Sequence, residues 1–406
     1  MPATAQTSPA PAAPRAANGV LAAVSASHCI NDMMQSLILA LYPLLKGEFA
    51  LSFIQVGMIT LTYQLTASLF QPLIGVYTDR RPQPYSLPFG MLATFCGLLL
   101  LAWSPAYAAV LAAAALIGLG SAIFHPESSR IARRASGGRH GLAQSLFQVG
   151  GNAGSALGPL LAAAVIVPYG KGSVAWFSLA ALIGMVLLTQ VGHWYAQRGV
   201  LPAVRGKAGH PSEPAGLYPR PVVKRALAVL LVLVFSKYFY IAGISSFYTF
   251  YLMHKFGLGV QDAQMQLFYF LAASAVGTII GGPVGDRIGR KPVIWISVLG
   301  VAPFALALPH AGLFWTTVLA VIIGLVLSSA FSAILVYAQE LVPHRIGTIS
   351  GLFFGFAFGM GGLGAAVLGL LADRAGIDAV YRGIAFLPLL GVVAALLPSR
   401  AQRSGT

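Results

Sequence analysis

The sequence predicts an all-α membrane protein, twelve transmembrane helices in two pseudo-symmetric six-helix bundles, on three observations. Its 406 residues are 57% hydrophobic and only 9% charged, too little polar material to cover a soluble globule. Twelve apolar runs approach the roughly 20 residues that a membrane-spanning helix needs. The second six runs repeat features of the first at a nearly constant spacing.

The runs fall near residues 20–45, 52–78, 87–103, 107–130, 143–167, 174–195, 226–252, 264–285, 292–309, 313–338, 348–371 and 379–398. Residues 1–19, rich in Ala and Pro without an apolar core, read as a disordered tail rather than a signal peptide. Residues 197–225 carry Pro202, Pro211, Pro214, Pro219 and Pro221 and read as a linker. The expected units are therefore an N-terminal bundle over 20–196, a C-terminal bundle over 226–398 and a short tail over 399–406. An even number of spans puts both termini on one side of the bilayer. Nineteen of the 25 Lys and Arg fall on that side, against Lys46, Lys171, Lys255, Arg374 and Arg382 on the other. The positive-inside rule makes it the cytoplasmic side. This topology also accounts for the net charge of +15 without nucleic acid, for which no run supplies an alternating basic and aromatic surface. Cys29 and Cys96 sit in separate apolar runs without metal-ligand spacing and read as small buried hydrophobes. No metal is expected.

The repeat has one register. Gly75-Val-Tyr-Thr-Asp79-Arg80 follows the second run and Gly282-Pro-Val-Gly-Asp286-Arg287-Ile-Gly-Arg290-Lys291 follows the eighth. Gly118 recurs as Gly324 and Gly158 as Gly364, each 206 residues on. Parallel repeats of this kind imply a cavity between two rocking bundles. His125, Glu127 and Arg130, within the stretch GLGSAIFHPESSR, have Phe331, Ala333 and Val336 as their repeat partners. The helix frame does not need those charges, so they point to a task of the N-terminal half alone. Ionisable groups at membrane depth are functional by default, although Glu127 and Arg130 also suit an i,i+3 pair at the headgroups.

The first run places His28, Asn31, Asp32 and Gln35 on one helical face. Asp32, near mid-span, is a candidate proton carrier with His28 as its relay; Asn31 could equally pin it as a structural carboxylate. In the seventh run Lys237 stands among aromatics, roughly three helical turns from Arg225. It needs a carboxylate, Asp32 or Glu127, or an anionic ligand. Tyr238 and Tyr240 are candidate hydroxyl donors beside it. Asp79, Arg80, Asp286, Arg287 and Arg290 read as conformational latches at helix ends. Gly150, Gly151, Gly154 and Gly158 allow close helix approach, and Pro159 bends the fifth span.

The motif GxxxDRxGRK after the eighth run, with its degraded copy after the second, resembles the signature of the major facilitator superfamily. The second run's copy has Pro82, Gln83 and Pro84 where the later Gly and Arg would stand. Gly150-Gly-Asn-Ala-Gly-Ser-Ala-Leu-Gly-Pro159 resembles the antiporter motif of its drug-exporting branches. SHCINDMMQSLILALYPLL, FHPESSRIARRASGGRHGLAQSLFQVGGN, PYGKGSVAWF and FSKYFY resemble the fosmidomycin-resistance efflux proteins, which export a phosphonate antibiotic in exchange for protons. The resemblance implies a bacterial inner-membrane antiporter that acts as a monomer and needs no cofactor beyond the proton gradient. Asp32, Glu127 and His28 would carry protons; His125, Arg130, Lys237, Asn31, Gln35, Tyr238 and Tyr240 would hold the anion. Symport of an organic or phosphorylated anion would use the same charges. An intramembrane hydrolase is disfavoured, because His-Pro-Glu is not His-Glu-x-x-His and no nucleophile elbow is present.

Overall fold

The computed structural model describes residues 16–81, 83–137, 140–197, 218–342 and 346–398, without the side chains of several helical residues, among them Asp79, Arg80 and Asp286. The tails and most of the expected linker lie outside the described residues.

Twelve helical passes follow one another, in the order expected. They are α1 (Asn18–Ala40, continued by Tyr42–Glu48), α2 (Phe53–Arg80), α3 (Ser86–Ala102), α4 (Tyr107–Ala135), α5 (His140–Leu161), α6 (Ser178–Gln197), α7 (Arg220–Phe256), α8 (Val260–Ile288), α9 (Arg290–Leu299, continued by Ala302–Ala307), α10 (Leu313–Ser328, continued by Ala330–Leu341), α11 (Ile346–Ala375) and α12 (Ile377–Ile384, continued by the 3₁₀ segment Leu387–Leu396). Ten described helices are long and apolar enough to cross a membrane, and Ser86–Ala102 adds a shorter apolar one. Their outward faces stay apolar. Leu73, Phe89, Ile183 and Val186 are exposed as lipid would require. Trp103, Tyr169, Trp176, Phe314 and Trp315 ring the end of the bundle remote from the termini, as an interfacial aromatic belt does. Cys29 is half-buried and Cys96 is exposed on the outer face, so only the first approaches the buried role its apolar run suggested.

Local chemistry sets the breaks. Ser52 and Gln55 form a capping box at the start of α2. Gly289 joins α8 to α9 at φ +94°, a left-handed backbone that explains why the loop motif carries glycine there. Pro159 has no N–H to give, and α5 passes into a π segment over Ala162–Ile166 just beyond it.

Within the first half α1 lies along α5, and α4 packs on α2 and α3; within the second, α10 packs on α8 and α7 on α11. The repeat is visible in the packing. A side chain at Gly118 on α4 would strike Tyr63 O and Thr66 of α2, and one at Gly324 on α10 would strike Phe270 O and Ser274 of α8. The halves meet along α2 with α11 and α5 with α8. At the end remote from the termini they are bolted together. Asp373 of α11 accepts the Phe53 and Ile54 N–H groups, both at 2.7 Å, satisfying the donors that the first turn of α2 leaves open. Buried Gln264 of α8 donates to Ala40 O where α1 breaks (2.7 Å), and Thr60 meets Ser246 (3.2 Å).

Candidate functional site

A cavity of about 280 Å³ lies between the halves. From α1 it receives His28, Asp32 and Gln35, from α4 His125, and from α7 Lys237 and Tyr238. The four- and seven-residue spacings from His28 bring Asp32 and Gln35 to the cavity with it, whereas Asn31, expected on the same face, does not line it. Asn31 stands behind the cavity wall, 1% exposed, donating to Asp32 Oδ1 at 3.0 Å.

The site is built on the α1–α5 contact. Side chains at Gly150, Gly154 and Gly158 would collide with Ser25 O, Cys29 O and Ser36 Oγ, so α5 can lie this close only because it offers glycine there. Gly151 abuts the site itself: a Cβ there would sit 2.5 Å from the His28 ring and 2.7 Å from Asp32 Oδ2. His28 is stacked on Phe147 of α5, with centroids 3.9 Å apart, and is 3% exposed. Its Nδ1 lies 2.7 Å from Phe147 O. A carbonyl oxygen can only accept, so this nitrogen carries the hydrogen. His28 Nε2 is then turned to Asp32 Oδ2, 3.3 Å away. His125 repeats the arrangement from α4. Its Nδ1 faces both Ser121 O at 3.0 Å and Ser121 Oγ at 3.1 Å, and its Nε2 lies 3.7 Å from Asp32 Oδ1. Two imidazoles and a carboxylate thus converge within 4.8 Å, close enough for one cation to be shared among them.

Across the cavity Lys237 is 3% exposed, its ammonium 5.5 Å from the Phe331 ring centroid and 5.7 Å from that of Tyr238. It makes no ion pair or hydrogen bond among the described residues. The carboxylate expected beside it is absent there: Asp32 is taken by the histidines, and Glu127 lies elsewhere. Two further donors have no partner among the described residues, Asn152 Nδ2 and Gln35 Nε2. Gln35 is oriented through its other amide atom, which accepts from Tyr63 OH of α2.

Glu127 and Arg130 do not join this group. Glu127, 0% exposed, accepts from Thr78 of α2 and pairs with Arg130 at 3.1 Å, and Arg130 also reaches Thr78 at 3.0 Å. The sequence suggested Glu127 for the coupling proton and Arg130 for the anion; in the structure both meet Thr78 of α2, and neither lines the central cavity. Tyr240 is likewise drawn off. It is buried beside Tyr248, Tyr251 and Tyr381 rather than lining the cavity. Of the latch residues, Arg287 is exposed and Arg290 pairs with Glu340 of α10 at 3.1 Å; the side chains of Asp79, Arg80 and Asp286 lie outside the described residues.

A larger cavity of about 650 Å³ beside α9 is bordered by Arg290 and Lys291. Protein already engages both cations, Arg290 through Glu340 and Lys291 through the Ala395 and Leu397 carbonyls at 3.1 and 2.5 Å. The central cavity is the better ligand site.

Asp373, Gln264, Tyr63, Asn152 and Glu340 carried no signal in the sequence. Each acts through a partner on another helix, and only the glycine motif that contains Asn152 marked its neighbourhood.

The Major Facilitator Superfamily profile matches residues 24–363 and 230–406. The chain is 63% identical over 389 residues to the fosmidomycin resistance protein of Escherichia coli K12, covering 96% of this chain and 95% of that protein. It is 45% identical to the uncharacterized MFS-type transporter YfnC of Bacillus subtilis 168, covering 94% and 93%. Its fold matches a bacterial homologue of the human lysosomal transporter Spinster, solved inward-facing and occupied, with TM-score 0.72 at 16% identity over 93% of this chain and 95% of that one. A multi-pass chain with two helical halves closing on a shared polar cavity, and with these relatives along nearly its whole length, belongs to the Major Facilitator Superfamily of membrane transporters.

Proposed function

We propose that the protein exports small phosphonate-like anions across the bacterial inner membrane in exchange for protons, by alternating access. The observation that carries the anion assignment is Lys237, an almost fully buried cation with no ion pair or hydrogen bond among the described residues, opening on a cavity shared by both halves. An ammonium out of water is costly unless something neutralises it, and charge-assisted bonds to a phosphonate would do so. Asn152 of α5 and Gln35 of α1 offer further donors to the same cavity. The name of the Escherichia coli relative, a fosmidomycin resistance protein, supports drug efflux and a phosphonate cargo.

The proton belongs on the opposite wall. Asp32, His28 and His125 can exchange a hydrogen among themselves with only a small approach of His125, because each imidazole is held by its other nitrogen. Asp373 and Gln264 hold the extracytoplasmic end closed, and Arg290 with Glu340 ties α9 to α10 at the cytoplasmic end. Glu127, Thr78 and Arg130 join α2 to α4 near that same end and serve as a brace. The two halves, 20–196 and 226–398, would rock about the cavity with both termini in the cytoplasm and the monomer as the working unit.

One observation favours a second reading, symport of an organic anion with protons. Every proton that the Asp32 cluster takes up makes the cavity more positive and draws an anion in with it. The assay is transport in proteoliposomes with an imposed proton gradient and a radiolabelled phosphonate. Export driven by protons moving inward, and lost when the gradient is collapsed, is the expected result; flux indifferent to the gradient rejects proton coupling of either kind.

A further inference from the structure

His28 spends its Nδ1 hydrogen on the Phe147 carbonyl, and His125 Nδ1 lies between the Ser121 carbonyl, 3.0 Å away, and the Ser121 hydroxyl, 3.1 Å away. What neutral His28 turns toward Asp32 is an Nε2 lone pair, and neutral His125 does the same in the tautomer that donates to the Ser121 carbonyl. Asp32 itself contributes only acceptors when ionised. In that tautomer the converging atoms are all acceptors, and Gly151 leaves no room for a side chain that could donate to them. Asn31 supplies one hydrogen to Asp32 Oδ1 and nothing to the rings. Among the described residues no other side chain donates to them, so a donor on a ligand would satisfy the cluster.

We infer that the transported molecule carries two groups, an anion for Lys237 and a hydrogen-bond donor, hydroxyl or ammonium, that occupies the acceptor cluster of His28, Asp32 and His125 in place of the coupling proton. This rests on the reading of the cavity as the transport site and supplies what that reading lacks. An anion alone would bind better to a protonated cluster and could not be exchanged against protons. A donor group competes with the proton for the same lone pairs: substrate O–H or N–H enters, and the displaced proton leaves to the cytoplasm. On the far side a proton takes the cluster back and the donor is expelled. The titratable groups that line this cavity are few. Facing Asp32 are His28 from its own helix, His125 from α4 and Tyr63 from α2; Lys237 and Tyr238 of α7 lie across the space, while α5 and α11 present only neutral side chains among the described residues.

The test uses three phosphonates of one chain length: aminopropylphosphonate, hydroxypropylphosphonate and propylphosphonate. Each is titrated calorimetrically into purified protein in buffers of different ionisation enthalpy, which counts protons released on binding. The same titration of Asp32→Asn protein subtracts the ligand's own ionisation. The amino and hydroxyl compounds should release about one proton more from the wild type than from the variant, with affinity falling about tenfold per pH unit on acidification, the slope of a one-proton exchange. Propylphosphonate should show no such difference and should still bind the variant, which also reports that the variant is folded. If all three compounds behave alike while Lys237→Ala abolishes binding, the donor inference is overturned and the transport reading stands. If none binds in a Lys237-dependent way, both are overturned.

Discussion

Asp32 Oδ2 lies 3.3 Å from His28 Nε2, one turn back on the same helix. The contact needs a shared hydrogen, because the other nitrogen of His28 is already spent on Phe147 O. Replacing Asp32 with Asn removes the negative charge and puts a donor among the lone pairs. Gradient-driven export by Asp32→Asn should fall at least tenfold, equivalent to about 1.4 kcal/mol or more of lost coupling. Exchange of labelled for unlabelled phosphonate, which needs no net proton movement, should continue. Transport assays of the two modes on one preparation separate these outcomes.

Lys237 should behave as a ligand group whose burial destabilises the empty protein. Lys237→Met keeps the length of the side chain and removes an ammonium that has no partner among the described residues. Phosphonate affinity should weaken by about 10–100-fold, since hydrogen bonds to a charged group contribute about 1.5–3 kcal/mol. The same variant should melt at a higher temperature than the wild type, because the cost of burying the charge disappears. Calorimetry and thermal unfolding in detergent measure both, and a lower melting temperature would show that Lys237 has a structural partner.

Gly151 sets the distance between α5 and the His28–Asp32 pair. The methyl of Gly151→Ala would stand 2.5 Å from the His28 ring and force the ring out of its stack on Phe147. Overpacking of this kind costs about 1–3 kcal/mol, and export should be lost with it. Gly359→Ala, where a Cβ meets nothing within 4 Å, is the control and should retain near-normal export.

Much of the fold could be read from the chain because the bilayer imposes a length and a solvent on every helix: the twelve runs become twelve passes. The inward face of α1 was also legible, since His28, Asp32 and Gln35 are related by helical spacing alone. Glu127 and Arg130 were not. Their own spacing fits equally a cavity or a brace, and Thr78, which both contact, lies on another helix. Lys237 stands out in the sequence as a cation in need of a carboxylate or an anionic ligand, but which of the two meets it depends on how α7 is rotated, which a largely apolar helix does not encode. Asp373 reads in sequence as the polar end of a span, and its purpose appears only when the start of α2 is found 2.7 Å away.

That clamp gives a conformational prediction. Asp373→Ala leaves the Phe53 and Ile54 N–H groups without their carboxylate and removes a charge–dipole attraction of up to about 2 kcal/mol. The equilibrium should shift about tenfold or more toward the state open at the extracytoplasmic end. Thr60 is 3% exposed in the closed arrangement, so a Thr60→Cys probe on a background lacking Cys29 and Cys96 should react about tenfold faster with a membrane-impermeant thiol reagent. An unchanged rate would mean that the clamp does not govern opening.

The direction of proton movement tests the central claim most directly. Proteoliposomes loaded with phosphonate and a pH-sensitive dye are diluted into substrate-free buffer of equal pH, with membrane potential clamped. Proton-coupled export predicts that the lumen acidifies as phosphonate leaves, and that Asp32→Asn abolishes the signal. A lumen that turns alkaline, with protons departing alongside the anion, would contradict the account.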